Sequence, residues 1–341
     1  MALYETLKEL CAVRGISGRE DAVRELILKK IEGFHAGART DNLGNLIVEK
    51  KGADTSSRKL LLSAHMDEVG FIITHIEKDG MLRFAPVGGI SPSVAAGRRV
   101  RVGEKALPGV IGVQPVHLLE KGDDEKYPKL SEMLIDIGAK DGEEARQMVR
   151  PGDMVTFDSE PVDFGENRLR ARAIDDRAGC ALLVELIRSE LPYDCTFCFS
   201  VQEETGCTGA KAAGVSILPD LAIVVEGTTA GDVPEAPEHK VVCRLGAGPV
   251  LSFMDKGAIY DRVLYDRAAE LAAERGLQWQ TKEGVCGANE SRSLQASGTG
   301  VRVLAVSLPV RYLHSAQSVA DLGDLDATLA LLRALIEEFL R

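Results

Sequence analysis

Four apolar runs in this chain each break off at ionisable residues, and that pattern limits the fold more than any other feature. Lys59 to Ala64 leads into His65, and Cys195 to Val201 leads into Gln202-Glu203-Glu204. Leu221 to Val225 meets Glu226, and the run from Val301, after Pro309, reaches Tyr312-Leu313-His314. Near-uninterrupted apolar strands belong in a sheet covered on both faces, which is the habit of parallel strands. Between them lie segments with helical spacing: Ala178 to Glu190, Thr208 to Val215, Ile259 to Arg275 and Asp324 to Leu340. Strand and helix in alternation predict an α/β layer with a mainly parallel central sheet. Ahead of them, Leu7, Leu10 and Cys11, then Val23, Leu26, Ile27 and Ile31, predict two opening helices. Ser17 and Glu20 have the spacing of a capping box for the second. Asp41-Asn42-Leu43-Gly44-Asn45 is turn chemistry between short strands.

From Phe71 to about Gly165 the pattern changes to short alternating segments broken by Gly, Pro and Asp, which predicts a small β-barrel or sandwich. The expected organisation is therefore one α/β domain made of residues 1–68 and 167–341, interrupted by an inserted β domain over 69–166. Within the insert, Leu119 to Lys126 is polar and turn-rich and is expected to be a mobile surface loop.

The net charge of −11 disfavours nucleic acid and anionic membranes as partners. Seven cysteines, an odd number, with no apolar leader near the start, point to a reducing, cytoplasmic setting. No run approaches the ~18 uncharged apolar residues of a membrane span. Cys195-x-x-Cys198 lies within a strand, where positions three apart face opposite sides, so it reads as core packing.

In open α/β sheets ligands collect beyond the carboxyl ends of the strands. That rule gathers His65, Asp67, Glu203, Glu204, Glu226 and His314 at one edge, with Asp175 just ahead of the Ala178 helix. Carboxylates packed so closely need a compensating cation to stay ionised together. Imidazoles and carboxylates without thiolates suit zinc, cobalt or manganese. Asp175, Glu204, Glu226 and a bridging hydroxide would balance two divalent ions. Bland alternatives stand beside this reading: Asp175 as a helix cap, Glu203 and Glu204 as solvated acids, His314 as a structural histidine.

Ala64-His65-Met66-Asp67-Glu68-Val69-Gly70, Ala173-Ile174-Asp175-Asp176-Arg177-Ala178-Gly179, Gln202-Glu203-Glu204-Thr205-Gly206, Val225-Glu226-Gly227 and Arg311-Tyr312-Leu313-His314-Ser315 together resemble the motif series of the tetrahedral, or glutamyl/deblocking, aminopeptidases, some of which were once labelled endoglucanases. The resemblance implies a phosphorylase/hydrolase-like three-layer α/β domain with an inserted β-barrel dimerisation domain. It implies two metal ions, with His65 and Glu226 on one, Glu204 and His314 on the other, and Asp175 bridging. It also implies Glu203 as general base and Asp67 as the residue orienting His65. Such dimers assemble into hollow dodecamers that take peptide substrates. The chain departs from the family where it reads Gly287-Ala288-Asn289-Glu290-Ser291, a segment expected near the substrate, and in Glu226, where many members have aspartate. The expected function is metal-dependent removal of a peptide's first residue. Two alternatives remain: a metal-free glycosidase using two of the carboxylates, and an assembly protein that has lost turnover.

Overall fold

Side chains alternate across a strand, so each buried run must supply two apolar faces. In the computed structural model, which describes residues 2–118 and 128–341, both faces are filled. The chain opens with α1 (Ala2–Ala12) and α2 (Asp21–Ile31), then β1 (Gly37–Thr40), β2 (Leu46–Lys50) and β3 (Leu60–His65). Next come β4 (Gly70–Ile76), β5 (Leu82–Val87), α3 (Pro92–Ala95), β6 (Arg99–Val102), β7 (Leu107–Gly112), β8 (Leu134–Asp136), α4 (Gly142–Met148) and β9 (Met154–Phe157). After β10 (Val162–Asp163) and β11 (Arg168–Ala171) follow α5 (Ile174–Arg188), β12 (Cys195–Ser200), α6 (Thr208–Ile217), β13 (Leu221–Thr229), β14 (Val250–Leu251), α7 (Arg262–Glu274) and β15 (Gln280–Thr281). The last elements are α8 (Ser291–Leu294), β16 (Arg302–Val310), β17 (Ser318–Asp321) and α9 (Leu322–Leu340).

The large sheet runs β1-β2-β12-β3-β13-β16-β14-β15. Its four central strands, β12, β3, β13 and β16, are parallel, with antiparallel pairs toward the edges. Leu60, Leu62, Phe197, Phe199, Ile223 and Val225 pack on one face against α1, α2, α5, α7 and α9. Leu61, Cys198, Ala222, Val224, Val303 and Ala305 pack on the other, against α6 and α8. The result is the three-layer α/β fold that the alternation predicts. Cys195 and Cys198 fall in the two different cores, and all seven cysteines are free.

Parallel register then levels the strand ends. Ser200 stands opposite His65, and Val224 opposite Ser63, which brings Glu226 level with His65 on the same face. Ser307 stands opposite Glu226.

The segment after β3 closes into a barrel, β4-β5-β8-β7-β6-β9, around its own core. There Phe71 meets Phe84 and Phe157 edge-on at 5.0 and 5.4 Å. The hairpin of β10 and β11 straddles residue 166 and continues into β17, forming a small third sheet that periodicity did not reveal.

Several local expectations are corrected. Ser17 and Glu20 form no capping box: Ser17 Oγ donates to Asp67 Oδ2, and Glu20 Oε1 accepts from the backbone of Gly18 and Gln202. The site has taken both side chains. Helix α7 starts at Arg262 rather than Ile259, because Asp261 caps it by accepting from Leu264 N. Strands β13 and β16 run on to Thr229 and Val310, since pairing with each other satisfies their backbones beyond the apolar runs. The expected loop Leu119 to Lys126 lies outside the described residues. Among the described residues, no helix is long and apolar enough to cross a membrane.

Candidate metal centre

His65 ends β3 fully buried. Its Nδ1 donates to the carbonyl of Asp67 at 3.0 Å, which leaves Nε2 to face the acids. Nε2 faces Asp175 Oδ1 at 3.4 Å and Glu226 Oε1 at 3.9 Å. Asp175 can turn this way because the first turn of α5 is not helical there. Ala173 sits at φ +57°, the Asp175-Asp176 peptide is cis, and Asp175 is extended at φ −84°, ψ 111°. The helix-cap role falls instead to Asp176, whose Oδ1 accepts from Gly179 N at 2.9 Å while Oδ2 accepts from His65 N at 3.2 Å. Gly227 permits the approach: a Cβ there would stand 3.1 Å from the Asp175 side chain.

Asp175 Oδ2 points the other way, 3.5 Å from His314 Nε2, and that nitrogen is 3.2 Å from Glu204 Oε1. His314 Nδ1 lies 2.9 Å from the carbonyl of Gly89, which comes from the barrel segment. Asp67 joins the two sides. Its Oδ1 lies 3.4 Å from His65 Nδ1 and accepts from Glu203 N at 3.0 Å, and its Oδ2 accepts from Glu204 N at 3.1 Å.

Two groups of potential ligands follow, His65 with Asp175 and Glu226, and Asp175 with Glu204 and His314, each with its donor atoms within 4.8 Å of one another. His65 Nε2, Asp175 Oδ1 and Glu226 Oε2 are buried without a hydrogen-bond partner among the described residues. Buried polar atoms left so cost stability unless something pairs with them. An imidazole nitrogen and two carboxylate oxygens converging in this way fit a divalent cation.

The electrostatics agree. Burial opposes charge on His65, but Asp175 and Asp67 outweigh it and hold the ring well above its usual pKa. His314 behaves alike: burial lowers it, Asp175 and Glu204 raise it, and it reaches about 11. Burial raises the carboxyl of Glu226 strongly, with Glu203 adding to the effect, and lifts Glu203 itself to about 8. Asp175 and Asp67 are held low: burial resists this in both, and the two imidazoles overcome it at Asp175, His65 and Ser17 at Asp67. Without a cation, protons on the rings supply the positive charge that this acid cluster demands, and a bound cation would take their place.

The cluster opens into a cavity of ≈ 520 Å³, whose lining includes Glu203, Cys207, Lys282 and Gly287 to Asn289. Cys207 Sγ donates to Glu203 Oε1 at 3.1 Å. Glu290, next in that segment, turns away from the cavity and is wholly buried, accepting from Ser63 Oγ at 2.5 Å and from Ser200 Oγ. The sequence marks Asp176 only as a further acid beside Asp175, Ser17 only as a helix cap and Glu290 only as part of the departing segment, and it gives Gly89 no role. The one available signal for Glu290 was a serine in each of two apolar strands, two residues before the level of His65 in one and opposite His65 in the other.

The comparisons with known proteins place the chain in a class. Residues 44–331 match the model of the M42 glutamyl aminopeptidase family. The chain belongs to that family and is a hydrolase of peptide bonds. It is 37% identical over 332 residues to a putative aminopeptidase of Acetivibrio thermocellus, covering 97% of each chain. It is 33% identical over 349 residues to a lysyl aminopeptidase of Pyrococcus furiosus, covering 99% of this chain and 98% of that one. Among solved structures, the TET1 peptidase of Pyrococcus horikoshii, which can assemble into a tetrahedron or a large octahedral shell, aligns with a TM-score of 0.86 at 35% identity over 98% of this chain and 99% of that one.

Proposed function

We propose that the protein is a dinuclear metal-dependent aminopeptidase that removes the first residue of peptides. The observation that carries this reading is Asp175, whose two carboxylate oxygens face two different imidazoles, each with a further carboxylate beside it. His65 and Glu226 would hold one ion, Glu204 and His314 the other, with Asp175 shared. Zinc, cobalt or manganese bound there would supply Lewis acidity toward the scissile carbonyl and acidify water.

Glu203 acts as the base. It lines the cavity beside the ligands, and its raised carboxyl suits a group that accepts a proton from the attacking water and returns it to the leaving nitrogen. Asp67 fixes the two backbone amides that aim Glu203 and Glu204. A substrate's free α-amine meets the acid-rich end of the cavity, which limits attack to the first peptide bond. Lys282 also lines the cavity, is 6% exposed and has no carboxylate in salt-bridge reach among the described residues. Arg292 stands exposed at the rim. A buried, unpaired ammonium favours a substrate bringing an anionic first side chain. The barrel segment 69–166 serves pairing of subunits, and the pairs build a closed assembly such as the tetrahedron of the Pyrococcus horikoshii peptidase.

Hydrolysis of aminoacyl-p-nitroanilides should need added zinc or cobalt and stop with EDTA, whereas a metal-free glycosidase would ignore the chelator. Glu203→Gln should lower kcat by about 10²–10⁴-fold with metal content unchanged; near-normal turnover would remove Glu203 from its role. Lys282→Met should lower the ratio of glutamyl to leucyl anilide hydrolysis.

A further inference from the structure

We propose that the Gly88-Gly89 turn of the barrel segment positions the second ligand group, so that Glu204 and His314, but not His65 and Glu226, depend on the barrel for metal binding. This rests on the dinuclear reading. The turn follows directly on β5 and reaches both loop-borne ligands. The Gly89 carbonyl accepts from His314 Nδ1 at 2.9 Å, which fixes the tautomer and leaves Nε2 toward Asp175 and Glu204. Gly88 sits at φ +82°, and a Cβ there would come within 3.2 Å of Glu204 Cβ and Oε2 and 2.8 Å of Val69 Cγ1. Glycine is required twice over, by the backbone angle and by the lack of room. Beyond the ring, Ala316 is buried in the barrel core together with Val69 and Ile90. The loop that carries His314 is thus fastened to the barrel at two points.

Among the described residues, the first ligand group has no such tie. His65 and Glu226 stand at the ends of β3 and β13, the ring of His65 is held by Asp67 and its backbone by Asp176. The barrel therefore acts as a clamp on one ion only, and a shift of the Gly88-Gly89 turn would loosen that ion while sparing the other.

The test is a calorimetric titration of the metal-free full-length protein with zinc, paired with elemental analysis after dialysis. The wild type should take up about two zinc ions. Gly88→Ala should keep the tighter step within about twofold and weaken the other by about tenfold or more. Gly97→Ala is the control for backbone strain within the barrel, since Gly97 has φ +72° and, among the described residues, open space around its Cβ position; both steps should survive. Should Gly88→Ala fold poorly, Val69→Ala/Gly88→Ala removes the 2.8 Å contact while keeping those with Glu204, and the same loss is expected. Two zinc ions bound alike by wild type and Gly88→Ala overturn the inference, as does an equal weakening of both steps. A wild type that takes up a single zinc removes the dinuclear reading, and this inference with it.

Discussion

The two sides of the metal centre are built by different means. His65 and Glu226 sit on strands, and their height and facing are set by the hydrogen-bond ladder of a parallel sheet that most of the core holds in place. Glu204 and His314 sit on loops. The segments that carry them pass through left-handed backbone at Gln202, Cys207, Tyr312 and His314 itself, conformations that cost energy and persist only where the surroundings enforce them. The strand side is rigid because of the fold; the loop side is rigid because of a few added contacts. Ligand deletion should expose that difference. Asp175→Ala, which removes the shared ligand, should empty both positions and abolish turnover. His65→Ala should do nearly the same, because the first position is the better buried. His314→Ala should lower the metal content to about one ion per chain and leave the fold intact. Elemental analysis checks all three, and equal losses from His65→Ala and His314→Ala would erase the distinction.

The same divide decides what could be read from the amino-acid sequence. Apolar runs ending in His65 and Glu226 mark strand ends, and a strand end in a parallel sheet is a place for ligands whatever the details. The α/β layers were visible in uninterrupted apolar runs alternating with helical spacing, and the barrel in period-two segments broken by turn residues, all of them local signals. Glu204 and His314 were placed by their motifs and by the strands before them, but their supports were hidden. Nothing local shows that the Gly89 carbonyl would meet a ring 225 residues away, or that Ser17 would leave its own helix for Asp67. Ser17 and Glu20 spell a sound capping box, and tertiary contacts overrode it. Glu290 was noticed only as part of an altered segment, because a carboxylate beneath a sheet edge is defined by serines on two other strands.

Asp67 is the residue whose loss would blur the two sides. It stands against the His65 ring and also holds the Glu203 and Glu204 amides. Asn at this position keeps one acceptor oxygen where two are used. Asp67→Asn should therefore weaken zinc at both positions, by about 10–100-fold, unlike the one-sided loss expected from His314→Ala. Ser17→Ala should act in the same direction but less, because it removes a single hydrogen bond to Asp67 Oδ2, worth about 1 kcal/mol. Zinc titrations of the two variants separate these sizes, and a Ser17→Ala effect as large as that of Asp67→Asn would mean that the hydroxyl, rather than the carboxylate, organises the turn.

The last expected effect concerns protons, and it separates the sides by pH. In metal-free protein the ring of His314 is held at about 11, against 6.5 when unperturbed. A histidine raised on folding contributes stability that is fully present below its unfolded pKa and is lost as pH rises through the folded one. The contribution of His314 is thus complete below pH 6.5 and fades toward pH 11, so the melting temperature in EDTA should decline across that window. His314→Ala should start lower at neutral pH and decline less, and the gap between the two curves should narrow as pH rises. Saturating zinc should flatten the wild-type curve, because a bound cation takes the place of the protons near the acids. Parallel curves in EDTA would show that the loop-borne histidine carries no extra proton.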